Sequence, residues 1–155
     1  MKYGYFDDQQ KEYIITQPDT PLPWINYLGF EEYHAIISNT AGGYSFSKDA
    51  RYRRLTRYRY NNSPMDVGGK YIYIRDEVEN LIWSPTWQPV KTPLDQYACH
   101  HGIGYTTIKS KYNQISSQVR YFVPIGSTCE IWHLKISNHR SSRVNLDIFS
   151  FVEFC

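Results

Sequence analysis

YACHHGIGYTTIKS, Tyr97 to Ser110, sets two extended-type runs, Tyr97 to His101 and Tyr105 to Ser110, on either side of Gly102-Ile103-Gly104. Glycine reaches backbone angles that other residues avoid, so the spacing predicts two strands that turn back or pack closely there. The loop lacks the strand-to-helix context of a phosphate cradle. Downstream the rhythm continues through Gln118 to Val123, Cys129 to Ser137 and Val144 to Cys155, broken by Gly126-Ser127 and the polar Asn138 to Arg143. Upstream, Lys70 to Arg75 (KYIYIR) sets Tyr71 and Tyr73 against Ile72 and Ile74 before an acidic turn at Asp76 to Asn80. Earlier still, Tyr13 to Thr16 leads into a Gln17 to Pro23 bend that proline keeps out of a helix. Trp24 to Leu28 and Glu31 to Ser38 follow, and Ala41-Gly42-Gly43 suits a hairpin into Tyr44 to Phe46. No run supports a helix of three turns. Short strands with frequent turns predict an all-β chain, an antiparallel β-sandwich rather than βαβ units. The composition agrees: 17% of residues are aromatic and 15 are tyrosine, a profile that favours strands.

The densest chemistry lies in Ser38 to Asn62, SNTAGGYSFSKDARYRRLTRYRYNN, with five arginines and four tyrosines. Read as one strand from Arg51 to Tyr60, it places Arg53, Leu55, Arg57 and Arg59 on one face. Tyr52, Arg54, Thr56, Tyr58 and Tyr60 take the other. Guanidinium forks and aromatic faces suit sugar rings, phosphate oxygens or a partner subunit. A solvated edge strand whose charges block pairing explains the same pattern. Trp83 and Trp87 bracket a proline-bent loop, WSPTWQP, where indoles either stack on sugar faces or fill the core beneath.

A net charge of +2 argues against a nucleic-acid-binding surface. Cys99, Cys129 and Cys155 form an odd set without a close pair, read as reduced thiols of a cytoplasmic protein. The opening MKYGYFDD carries acids where a signal peptide needs an apolar core, and no run reaches the roughly 20 apolar residues of a membrane span. Cys99-His100-His101 has no second ligand pair, and successive strand residues face opposite ways, so no metal site is read there. His133, between Trp132 and Leu134, reads as half-buried. Asp7-Asp8 and Glu31-Glu32 point apart in extended chain, and the other acids are scattered among turns. Glu153 interrupts the apolar DIFSFVEFC and, once buried, needs a cation such as Arg57 or Arg59.

Several rare blocks occur together and in order. MKYGYFDDQQKEYIIT, PLPWINYLG (Pro21 to Gly29), the basic-aromatic stretch, GGKYIYI (Gly68 to Ile74), WSPTWQPVK (Trp83 to Lys91), HGIGYT (His101 to Thr106) and FSFVEFC (Phe149 to Cys155) resemble the N-terminal part of the cellobiose phosphorylase family. That family comprises inverting glycoside phosphorylases once classed as glycosyltransferases. The resemblance implies that residues 1–155 are part of a supersandwich-like β-domain. A helical linker, an (α/α)6 barrel and a C-terminal β-region would lie outside it. The apolar end, which reads as a strand, fits an N-terminal fragment or a shortened gene.

The implied reaction is phosphorolysis of a β-linked glucoside such as cellobiose, giving α-glucose 1-phosphate and glucose. Inorganic phosphate is the co-substrate and no cofactor is needed. An inverting hydrolase requires an acid and a base, whereas phosphate is already a nucleophile and needs only the acid. The resemblance places that acid on the barrel, so no catalytic residue is expected in this chain, and the chain alone is expected to be inactive. It also implies a homodimer in which this domain faces the partner's active-site region. Arg54, Arg57, Arg59, Tyr58, Trp83 and Trp87 become the substrate-binding or interface candidates. Acceptor choice among cellobiose, cellodextrin, chitobiose and laminaribiose stays open. A stand-alone carbohydrate-binding or interaction β-domain is the alternative.

Overall fold

Alternation along the longest hairpins decides what is buried. In the computed structural model, which describes residues 2–58 and 68–155, twelve strands form and no helix appears among the described residues. They are β1 (Gly4–Asp7), β2 (Glu12–Ile15), β3 (Ile25–Phe30), β4 (Tyr33–Ser38), β5 (Ser45–Ser47), β6 (Tyr71–Asp76), β7 (Leu81–Trp83), β8 (Gln96–Gly102), β9 (Tyr105–Tyr112), β10 (Ile115–Phe122), β11 (Ile131–Asn138) and β12 (Leu146–Phe151). The largest sheet has the order β1-β2-β8-β9-β10-β11, and all its pairs are antiparallel. Two three-stranded sheets, β3-β4-β5 and β12-β6-β7, complete the architecture. The expected all-β class and antiparallel pairing are what is seen.

The turns explain the register. Gly104 adopts a φ of +78° between β8 and β9, so the Gly-Ile-Gly segment reverses the chain as its glycines predict. Asn113 and Gln114, at φ 47° and 62°, connect β9 to β10 with Tyr112 facing Ile115. Two consecutive left-handed residues match the twist of the flanking strands. On one face, Cys99, Ile108, Ile115, Val119 and Tyr121 are at most 1% exposed and form the core with Ile15, Leu28, Ile37, Ile74 and Trp83.

Polar side chains lock the layers together. The Asn26 Nδ2 group donates to the carbonyls of Gly102 and Tyr105, both at 2.9 Å, tying β3 to the β8–β9 turn. Glu130 receives three donors: the Tyr33 hydroxyl at 3.2 Å, Ser45 Oγ at 2.6 Å and Trp132 Nε1 at 2.6 Å. Burial, with the Glu130 carboxylate beside it, pushes the Tyr33 phenol up to about 12.

The basic stretch departs from the long strand that its alternation predicts. The Asp49 carboxylate captures the N–H groups of Arg51 (2.7 Å) and Tyr52 (2.8 Å), turning the chain there. Only isolated bridges follow, Phe46 to Arg54 and Thr56 to Phe154. Nor is this strip a free edge. Leu55 N–H donates to the Ser45 carbonyl on one side, while on the other Arg57 N–H donates to the Glu153 carbonyl and the Leu55 carbonyl accepts from Cys155 N–H. Arg59, Tyr60 and the Asn61 to Pro64 turn lie outside the described residues. At the chain's end, β12 stops at Phe151, short of the Val144 to Cys155 run expected to be one strand.

Cys99 is completely buried, and burial pushes its thiol up, whereas Cys129 and Cys155 are exposed and all three are free. The thiolate is the nucleophile, so a buried thiol is inert. Titration of the native chain with an aromatic disulfide should modify two thiols promptly and the third only on unfolding. Prompt modification of all three would contradict this packing.

Candidate functional site

The Gly-Gly turn builds one wall of a cleft of about 480 Å³. Ser38 Oγ accepts the N–H of Gly42 at 2.9 Å and of Thr40 at 3.3 Å, which closes the turn after β4. Gly43 has a φ of +125°, and a Cβ on it would lie 2.1 Å from the Ile36 carbonyl oxygen, so only glycine fits. Ile25 and Ile36 contribute apolar surface, and Tyr44, Arg57, Tyr58 and Gln88 contribute polar groups. The mixture of an apolar wall with convergent donors is that of a ligand or partner site.

A ladder of rings runs beside the cleft. His34 stacks on Phe46 with centroids 5.3 Å apart; Phe46 neighbours Tyr44 at 5.9 Å, and Tyr44 meets Tyr58 at 4.7 Å. The Arg54 guanidinium lies 5.5 Å from the Tyr58 ring and 6.0 Å from that of Tyr44. Cation–π contact holds it there together with a hydrogen bond from its Nε to the Ala50 carbonyl at 2.8 Å. Arg57 forms an ion pair with Glu153, the kind of partner that a carboxylate within an apolar run suggests. Of the sequence candidates, Arg54, Arg57 and Tyr58 therefore come together. Arg59 lies outside the described residues.

The two tryptophans separate. Trp83 ends β7, is 1% exposed and packs against Tyr112 with centroids 5.2 Å apart. It is a core residue and not a sugar platform, which resolves the two readings of WSPTWQP at that position. The loop itself is rooted by buried hydroxyls: Ser84 Oγ donates to the Ile72 carbonyl at 2.8 Å, and Thr86 Oγ1 to that of Gln88 at 2.9 Å. This places Gln88 on the cleft. Trp87 is half-buried, with Lys91 Nζ 5.6 Å from its ring centroid.

The remaining titratable groups hold structural positions. His101 accepts from Thr106 Oγ1 at Nδ1 (2.9 Å) and donates from Nε2 to the Trp24 carbonyl (3.0 Å), which fixes one neutral tautomer. Burial lowers its pKa, in keeping with that state. His100 turns to the opposite face, with Nδ1 2.7 Å from Glu12 Oε2. No group of three or more His, Cys, Asp or Glu among the described residues could hold a metal. His133 is exposed, where its apolar neighbours predict partial burial, because Trp132 and Leu134 point to the other face. Asp76 is bound by Arg140, Glu12 by Tyr105 and His100, and Glu130 by its three donors. Sequence reasoning missed Tyr44, Phe46, His34 and Gln88. The period-2 spacing of Tyr44 and Phe46 next to Gly43 was the available signal for the first two; nothing marked Gln88.

Residues 11–155 match the family model described as "Glycosyl hydrolase 94, supersandwich domain". Among curated proteins, the chain is 46% identical over 156 residues to an N,N'-diacetylchitobiose phosphorylase of Vibrio proteolyticus, with 99% of this chain and 19% of that protein aligned. A protein of the same description from Vibrio furnissii is 43% identical, with the same coverage. A 3-O-beta-D-glucopyranosyl-beta-D-glucuronide phosphorylase of Paenibacillus borealis is 37% identical over 148 residues, covering 96% of this chain and 18% of the relative. The chain thus spans about a fifth of the length of these relatives. Among the described residues, no helix is long and apolar enough to cross a membrane.

Proposed function

This chain belongs to the glycosyl hydrolase 94 family through its supersandwich domain, and from that premise we propose that it serves an inverting phosphorylase of β-linked disaccharides. In this reading the cleft at Arg57 and Tyr58 faces the reaction centre of a second copy of the polypeptide. The family match over residues 11–155 carries the proposal. The cleft supports it, since a guanidinium clamped by a carboxylate still presents further N–H donors. Glu12, Asp76, Glu130 and Glu153 are each engaged by structural partners, in keeping with an acid carried by other polypeptide. Phosphate attacks the anomeric carbon as that acid protonates the leaving oxygen, yielding an α-sugar 1-phosphate and a free sugar. No cofactor enters this scheme, and the free thiols fit a cytoplasmic setting.

Cellobiose is the substrate that the sequence blocks suggest. Identities of 46% and 43% to the Vibrio enzymes favour N,N'-diacetylchitobiose instead. Incubating the polypeptide that carries this domain with phosphate and each disaccharide in turn should release α-sugar 1-phosphate from one of them and none from the 155-residue chain alone. Release from neither disaccharide would overturn the reading.

Charge reversal tests the cleft. Arg54→Glu with Arg57→Glu should lower kcat/KM at least tenfold or shift the native mass towards the monomer, because Arg57 lines the cleft and Arg54 lies against the Tyr58 ring that lines it. Unchanged mass and kinetics would remove the cleft from the proposal.

A further inference from the structure

The outward face of the largest sheet carries a feature that phosphorolysis does not use. Across β9, β10 and β11, Lys109, Gln118 and Lys135 are direct cross-strand partners, so the two lysines flank the amide. Their backbones stand roughly 10 Å apart, twice the strand spacing. In the neighbouring row, Ser116 pairs with Lys111 on one side and Ser137 on the other. Ala98, Ser116 and Ser137 are small, and the surface dips over them into a dish of about 530 Å³ walled by Lys109, Lys135, Gln96 and Gln118.

On this face Lys109, Lys111, Arg120 and Lys135 outnumber the carboxylate of Glu12, whose charge Lys109 feels at longer range. Among the described residues, no carboxylate lies within salt-bridge distance of Lys109, Lys111 or Lys135. Arg120, one row away, covers the Tyr105 ring at 4.0 Å, and the nearby carboxylate of Glu12 is taken by Tyr105 and His100. The chain as a whole has a net charge of only +2, so this concentration of cations is local. The lining also excludes some ligands. Tyr97, the aromatic residue in its lining, is turned into the core with its hydroxyl bonded to the Asn39 carbonyl, so it offers no open ring for a neutral sugar to stack on. Lysine, serine and alanine are the residues that protein–protein interfaces deplete. The volume suits a small molecule, and the donors suit one rich in hydroxyls and carrying an anion.

We propose that this dish binds an anionic sugar, its phosphate or carboxylate held between Lys109 and Lys135 and its hydroxyls by Gln118, Ser116 and Ser137. The site is separate from the Arg57 cleft, and its occupancy does not depend on the proposed reaction. Hydrogen exchange of the polypeptide that carries this domain, read on β9, β10 and β11, tests it with glucose 1-phosphate, glucuronate, glucose and a hexaglutamate peptide. Saturable protection of these strands by glucose 1-phosphate, by glucuronate or by both supports the proposal, and which of them acts identifies phosphate or carboxylate as the anion. The double variant Lys109→Ala, Lys135→Ala removes only exposed side chains and should weaken that protection at least tenfold while leaving the protection of Val119 and Ile108 in free protein unchanged. Equal protection by glucose, protection by the peptide alone, protection that survives the double variant, or no protection by either anion would each overturn it.

Discussion

Trp83→Ala should cost about 3–5 kcal/mol of domain stability, the range for emptying a buried large aromatic site, and should leave the affinity of the folded protein for disaccharide unchanged. The indole is 1% exposed and is held between the end of β7 and Tyr112, with Ile74 as its cross-strand partner. Removing it leaves a void that rigid strands on both sides cannot close. Trp87→Ala is the matched control. That ring is half-buried and lies beside the Lys91 ammonium, so its loss should cost about 1 kcal/mol. Urea unfolding of both variants, followed by the remaining tryptophans, reads the difference, and KM for the disaccharide reads any role in binding. A large rise in KM for Trp83→Ala without loss of stability would return that residue to the ligand-binding candidates.

The contrast shows what the sequence could and could not convey. Strands were legible wherever side chains alternate and turn residues bound them, as at β6, β8 and β9. Partners far apart in the chain were not: β2 pairs with β8 through Ile15 and Cys99, and no periodicity encodes that choice. Arg51 to Tyr60 alternates well enough to read as a strand, yet one carboxylate, Asp49, captures two N–H groups and turns the chain. Even so, the expected sharing of a face by Arg54 and Tyr58 holds, since the guanidinium lies over that ring. Glu153 was legible for a different reason. A charge inside an apolar run suggests a cation beside it, and Arg57 pairs with it, although both side chains remain partly exposed. The site's other half was hidden because Gln88 reaches the cleft only through the buried hydroxyls of Ser84 and Thr86, which look like solvent-exposed loop residues in sequence.

Asp76 should be the most costly single charge to remove. It is fully buried at the end of β6, where Oδ1 accepts the N–H groups of Val78 (3.0 Å) and Glu79 (3.2 Å) and Oδ2 accepts Arg140 Nη1 at 2.7 Å. Arg140 also donates from Nε to the Asn113 carbonyl at 3.0 Å, so one pair joins the β6–β7 turn to the β9–β10 turn. Asp76→Asn keeps the shape but removes the buried one of the two carboxylates on Arg140 Nη1, leaving the half-exposed Glu79 at 3.1 Å, and should destabilise the domain by about 2 kcal/mol at pH 7. The pH dependence follows from the carboxyl itself. Burial acts to raise its pKa, but the Glu79 N–H, the Arg140 guanidinium and the Val78 N–H outweigh burial and hold it below the ordinary value. A depressed folded-state pKa contributes stability that is fully present above the unfolded value, about 4, and is lost as pH falls through the folded one. The gap between the parent protein and Asp76→Asn should therefore be constant from pH 7 down to about 5 and narrow below about pH 4 as the parent takes up its proton. Unfolding free energies measured for both proteins across that range decide the matter. A gap that stayed constant to pH 2, or that opened on acidification, would show that Asp76 is not held ionised by Arg140.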